Sequence, residues 1–87
     1  MFRIWARTFK DNHMLKDMVV CDDSDINRTK KIFNALDTVC HEFDLCTPIW
    51  LDKNIDDFKR TSKTRFTKDN FIEGIEFDYL ELYVIEE

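Results

Sequence analysis

Hydrophobic positions change period twice along this chain, and those changes delimit its elements. Between Asp25 and Leu45, Ile32, Phe33, Leu36, Val39, Cys40 and Phe43 recur every three or four positions, the spacing that lines one stripe of an α-helix. Lys30, Lys31, Asn34, Asp37, Thr38, His41 and Glu42 fill the opposite side and would face water. Asp22, Asp23, Ser24 and Asp25 stand at the entrance, where a side-chain oxygen can cap free N–H groups and acidic charge suits the helix dipole. Pro48 is expected to close the far end. Such a helix is about 30 Å long. It cannot bury its stripe alone, so the flanking segments must supply a surface.

Those segments carry the period of two that belongs to strands. Phe2–Lys10 and Met14–Cys21 are joined by Asp11-Asn12-His13; Asp and Asn tolerate the left-handed backbone of a tight turn, which predicts a β-hairpin. Phe2, Ile4, Ala6 and Thr8 share one face of the first strand, and Arg3, Trp5, Arg7 and Phe9 the other. In the second strand Met14, Lys16, Met18 and Val20 share a face, and Leu15, Asp17, Val19 and Cys21 oppose them. Phe77–Ile85 reads as the last strand, with Leu80, Leu82 and Val84 against Tyr79, Glu81, Tyr83 and Ile85. Between helix and last strand, Asp52 or Asn54 could cap a short second helix to about Thr61 that buries Ile55 and Phe58. Residues 62–75 alternate poorly and read as an irregular segment pinned by Phe66, Phe71, Ile72 and Ile75, with room for a short strand or one helical turn.

Three strands in the order hairpin, helix, helix, strand predict an α+β fold. The N-terminal hairpin and the C-terminal strand form a small sheet, with the last strand beside the first. The long helix and the short one cover one side. At 87 residues, 44% of them hydrophobic, the chain makes one domain, 1–87, with one core. No apolar run is longer than the four residues of Met18–Cys21, far too short for a membrane span. No apolar signal core follows Met1, and three irregularly spaced cysteines make no disulfide framework. Both point to the cytoplasm.

Charge adds a polarity that hydropathy does not show. Residues 1–20 sum to +2, 21–58 to −5, 59–68 to +5 with no acid, and 69–87 to −7 with no base, within a net charge of −5. The basic run Lys59, Arg60, Lys63, Arg65 and Lys68 is interleaved with Phe58 and Phe66. Cations beside aromatic planes are the chemistry of single-strand nucleic-acid binding. A solvated edge pairing with the acidic tail, or a contact with an acidic protein, explains the same run. A second set of residues is Arg3, Trp5, Arg7 and Phe9, with Tyr79, Glu81 and Tyr83 as cross-strand neighbours. Trp, Tyr and Arg are enriched at interface hot spots, and Arg3 or Arg7 opposite Glu81 would fix the register. This face is an interface, a solvated sheet surface, or a layer beneath residues 48–76.

Catalytic and metal chemistry find little support. Cys40, His41 and Cys46 lack the paired short spacings of zinc sites, and the first two point about 100° apart on a helix. There is no nucleophile elbow, and the lone Gly74 cannot build a phosphate-cradling loop. We therefore expect no cofactor, no metal and no enzyme.

The motifs RIWA (Arg3–Ala6), PIWLD (Pro48–Asp52), KTRFTKDNFIE (Lys63–Glu73) and FDYLE (Phe77–Glu81) together resemble a family of small uncharacterised bacterial proteins of similar length. That family has no assigned activity or catalytic residue. The resemblance implies one compact cytosolic domain and nothing about chemistry. The functional expectation is an interaction module that binds itself or another protein. The alternative is a nucleic-acid-binding accessory protein using the basic run.

Overall fold

In a computed structural model describing residues 1–87, the order is β1 (Phe2–Lys10), β2 (His13–Asp22), α1 (Arg28–Glu42), α2 (Asp52–Thr61), β3 (Lys63–Thr67), a 3₁₀ turn (Lys68–Asn70) and β4 (Tyr79–Glu86). The strands form one antiparallel sheet in the order β2-β1-β4-β3. This is the expected α+β architecture, with the last strand beside the first and one strand more than expected. No helix is long and apolar enough to cross a membrane.

The hairpin forms because Asp11 and Asn12 both adopt positive φ, 52° and 67°, the backbone of a two-residue type I′ turn. His13 belongs to β2 rather than to the turn. The β1–β2 register slips between Thr8 and Phe9, a bulge that sets Met14 opposite Phe9 and takes it off the side shared by Lys16, Met18 and Val20.

Helix α1 is shorter than its hydrophobic pattern. It starts at Arg28, and the cap is Asn27, whose Oδ1 accepts the Lys30 N–H at 2.9 Å; none of the four acidic or serine residues upstream caps it. It ends before Pro48. Asp44 takes a left-handed φ of 56°, the Leu45 N–H reaches the Cys40 carbonyl at 2.8 Å, and the Asp44 N–H reaches that of His41 at 3.3 Å. These are the two bonds of a Schellman stop. The buried stripe is Ile32, Ala35, Leu36, Val39 and Cys40. Phe33, expected in it, lies on the flank with its edge against Trp50, 5.6 Å between ring centres.

One core of 14 buried residues joins this stripe to Phe2, Ile4 and Ala6 of β1, Leu80, Leu82 and Val84 of β4, and Phe58, Phe66 and Phe71. Phe58 is buried on α2 as expected, but Ile55 is exposed. The inward position one turn earlier is taken by Asn54, only 1% exposed. Its Oδ1 accepts the Leu51 N–H that opens the helix, and its Nδ2 donates to Thr64 Oγ1 and to the Arg65 carbonyl. Asn70 Nδ2 donates to Asn54 Oδ1 at 2.7 Å and to the Ile49 carbonyl at 2.8 Å.

This network turns the segment expected to be irregular into β3. Thr64 and Phe66 alternate inward against β4, while Lys63, Arg65 and Thr67 take the other parity. Of the four pins expected in residues 62–75, Phe66 and Phe71 are buried, Ile75 is half-buried, and Ile72 is 84% exposed and pins nothing.

Leu36, 1% exposed in the middle of the stripe, should be the costliest helix position to truncate. Leu36→Ala is expected to lose about 2–5 kcal/mol, a large part of the stability of a domain this size. Urea denaturation of the two proteins measures it, and a loss below about 1 kcal/mol would show the stripe to be loosely packed.

Candidate functional site

Both helices lie over one face of the sheet, and the parity of β1 and β4 sends Trp5, Arg7, Phe9, Tyr79, Glu81 and Tyr83 to the other. The register arranges them in rows. Val19, Trp5, Tyr83 and Lys63 run across the four strands; next come Asp17, Arg7, Glu81 and Arg65; then Phe9, Tyr79 and Thr67. The middle row alternates in charge, the outer two are rich in aromatic rings, and no second layer covers them.

Each charge in the middle row has a partner. Arg7 Nη2 donates to Glu81 Oε1, and Arg65 Nε donates to Glu81 Oε2 at 3.2 Å. The Glu81 carboxylate is thus held by two guanidinium groups and is only 2% exposed despite lying on the uncovered face. The Arg7 guanidinium sits 4.1 Å from the centre of the Trp5 ring and 5.2 Å from that of Phe9, within cation–π range. Its Nε is buried without an acceptor. Trp5 Nε1 donates to Asp17 Oδ2 at 3.0 Å, which fixes the indole. Phe9 and Tyr79 stack at 5.1 Å with 21° between planes, and Arg65 lies 4.6 Å over Tyr79. The rings are therefore half-buried by their cationic neighbours rather than bare.

The two residue sets distinguished in the sequence partly merge here. Lys63 and Arg65 come from the basic run but stand on β3 beside Tyr83 and Tyr79, with Lys63 Nζ 5.6 Å from the Tyr83 ring. The structure does not bring Lys59, Arg60 or Lys68 to them. Lys59 and Arg60 are exposed on α2, Arg60 pairing with Asp57 at 3.0 Å, and Lys68 opens the 3₁₀ turn. Arg3 lies at the rim, where Glu86 pairs with it at 3.3 Å. Residues 48–76 do not cover the face, because Trp50 packs on Phe33, Phe58 and Phe66 on the helix side. Asp17 was missed as a site residue. Its signal was alternation alone, which put it opposite Arg7, and the indole contact depends on a diagonal that no linear pattern carries.

No three His, Cys, Asp or Glu side chains gather as metal ligands. Cys40 is buried on the inner face of α1 while His41 and Cys46 are exposed. A groove of about 940 Å³ between the hairpin tip and the 43–45 and 74–77 loops is lined by Thr8, Lys10, Lys16, Asp44, Glu76 and apolar neighbours, without a histidine or cysteine. No family model, curated protein or solved structure matches the chain.

Three outcomes test these placements. Glu81→Ala strands Arg7 and Arg65 beside each other. It should cost about 2–3 kcal/mol, less than the roughly 3–5 kcal/mol of a fully enclosed pair because Arg65 can turn to water; thermal and urea unfolding would measure it. Burial pushes the Cys40 thiol up to about 11, with Asp37 and Cys46 adding to the effect. A group whose pKa is raised by folding stabilises fully below its ordinary value and loses that contribution as pH rises through the folded one. Stability should therefore fall between about pH 9 and 11, and less so in Cys40→Ala. In the native protein at neutral pH a thiol reagent should label Cys21 and Cys46 quickly and Cys40 only on unfolding; fast triple labelling would refute a packed Cys40.

Proposed function

We propose that this chain is a non-enzymatic interaction module of the cytosol that docks a protein partner on the uncovered face of its sheet. The observation that carries the reading is the make-up of that face. Trp5, Phe9, Tyr79 and Tyr83 frame Arg7 and Arg65, with no second layer over them. Aromatic residues and Arg are the types enriched at the centres of protein interfaces. Cation–π contacts, the Asp17 bond to the indole and the shared Glu81 hold these side chains in place. Little rotamer freedom is left to lose on binding, which favours affinity. The face is also close to electrically balanced. Arg7 and Arg65 answer Glu81 and Arg3 answers Glu86, so few cations are free for a phosphate backbone.

A second reading has one specific observation behind it. Lys63 and Arg65 lie over Tyr83 and Tyr79, the juxtaposition that grips single-stranded nucleic acid. Salt separates the two, since phosphate contacts release counterions.

The test uses the whole chain as bait in extract from its own cells, beside Trp5→Glu/Tyr83→Glu and Lys59→Glu/Arg60→Glu. A protein retained by the wild type and by the α2 variant, and lost with the sheet-face variant, is the expected result; a partner lost only with the α2 variant would overturn the reading. Fluorescence anisotropy with single-stranded and duplex oligonucleotides at low and moderate salt should show no binding. Micromolar, strongly salt-sensitive binding that disappears in Lys63→Glu/Arg65→Glu would put the second reading first.

A further inference from the structure

The sheet has two edges, and the chain treats them differently. On β3 several of the outward backbone groups are taken up by the chain's own side chains. Asn54 Nδ2 bonds the Arg65 carbonyl and the Thr67 N–H donates to Asn70 Oδ1, while the Thr61 hydroxyl is shared between the carbonyls of Asp57 and Lys63. On β2 nothing comparable happens. None of the backbone bonds outside the regular ladders involves residues 13–22, and no side chain bonds their backbone. Phe9 turns its carbonyl toward β4, accepting the Asp78 N–H at 2.8 Å. Alternation from there directs Ile4 and Ala6 toward β2, so Met18 and Val20 answer them and Asp17, Val19 and Cys21 present their N–H and C=O groups outward. An unprotected strand edge of this kind is a template for another strand.

We propose that two copies of this chain pair antiparallel through β2, on a two-fold axis passing Val19, to form one continuous eight-stranded sheet. Charge selects the occupant and the register. In an antiparallel pair facing residues share a sheet face, so the axis must pass a residue rather than a gap. Centring it on Val19 sets Val19 against Val19, Met18 against Val20, Asp17 against Cys21, and Lys16 against Asp22, the last three twice by symmetry. Lys16 and Asp22 have no ion-pair partner within the chain, and Ser24 holds the Asp22 carboxyl below its ordinary range. Moving the axis to Asp17 would oppose two aspartates. At Met18 it would leave Lys16 facing Val20, and at Val20 it would set Asp17 against Asp23. The Val19 register alone among these unites opposite charges and keeps the apolar residues together. It also spans residues 16–22 and so leaves out the bulge beyond Lys16. The two copies of β1 then lie three strand spacings apart, about 14 Å, placing two Trp5–Arg7 clusters on one surface. This inference goes beyond the docking reading and stands without it.

Light scattering between micromolar and submillimolar concentration should show the mass rising from 10.6 kDa toward twice that. Val19→Pro removes one outward N–H and leaves the bonds to β1, so it should give a folded monomer by circular dichroism. Lys16→Asp should weaken the dimer about tenfold, and Lys16→Asp/Asp22→Lys should restore it. That rescue keeps the test valid if the proline variant fails to fold. In a Cys21→Ser/Cys46→Ser background, Val19→Cys should oxidise to a linked dimer, since facing Cα atoms about 5.5 Å apart suit a disulfide; Met18→Cys should not. A wild-type monomer throughout, crosslinking through position 18 instead of 19, or a dimer indifferent to Lys16→Asp but lost in Trp5→Glu/Tyr83→Glu would each overturn the proposal.

Discussion

β1 and β4 pair antiparallel across the middle of the sheet, and their inward residues, Ile4, Ala6, Leu80 and Leu82, are fully enclosed. They lie about as far apart in the chain as two strands can. Every later contact depends on their meeting. α1 has nothing to bury Leu36 and Val39 against until the sheet exists, and β3 finds a neighbour only in β4. The hairpin can form locally, but loop closure over the whole chain must be met before the central ladder repays it. The register of that ladder is held from both faces. A shift by one residue would drive Arg7 and Glu81 into the core and Ile4 and Leu82 into water.

The uncovered face answers a problem that this pairing creates. A central strand with a carboxylate at 2% exposure would carry a heavy desolvation cost if the charge stood alone. Arg7 and Arg65 approach it from the strands on either side, one to each oxygen. Their guanidinium planes then cover the rings of Trp5, Phe9 and Tyr79. The same cations solve two problems, a buried acid and exposed aromatic area. The resulting surface is held in place by its own contacts and nearly neutral.

Patterns that depend on local chemistry were legible in the sequence. Asp11-Asn12 announced a turn needing positive φ, and alternation placed the side chains of β1 and of β4 as far as Val84 on their correct faces; beyond it a bulge at Ile85 brings Glu86 opposite Arg3. The helix stripe was clear because Leu36, Val39 and Cys40 have no polar competitor at that spacing. Its ends were not, because capping is decided by one geometry among several chemically equal candidates. Asn27 accepts the Lys30 N–H, and Asp22 instead accepts from Ser24 in its own turn. β3 was hidden for a different reason. Its inward residues are Thr64 and Phe66, and a threonine reads as polar until Asn54 supplies its partner. Asn54 and Asn70 themselves look like loop residues, and only the folded chain brings them within 2.7 Å. The merging of Lys63 and Arg65 with the aromatic face follows from that hidden strand, so the site was legible only in two separate pieces.

The contrast between the edges bears on what a module of this shape can safely do. A sheet with two bare edges can add copies at both, and that geometry grows into a filament rather than closing. Here Asn54 and Asn70 occupy part of the β3 edge from within the chain, so β2 is the more open edge, and pairing through it uses up that edge of both partners. The network that partly covers β3 is also what defines it as a strand, and through it Lys63 and Arg65 reach the rings of Tyr83 and Tyr79. One buried asparagine pair thereby links three features that look unrelated in the sequence: the fourth strand, the cations on the uncovered face, and the partial cover of the β3 edge. Replacing that pair with apolar residues of similar size would satisfy the core and still undo the rest, because the backbone of β3 would again offer its edge.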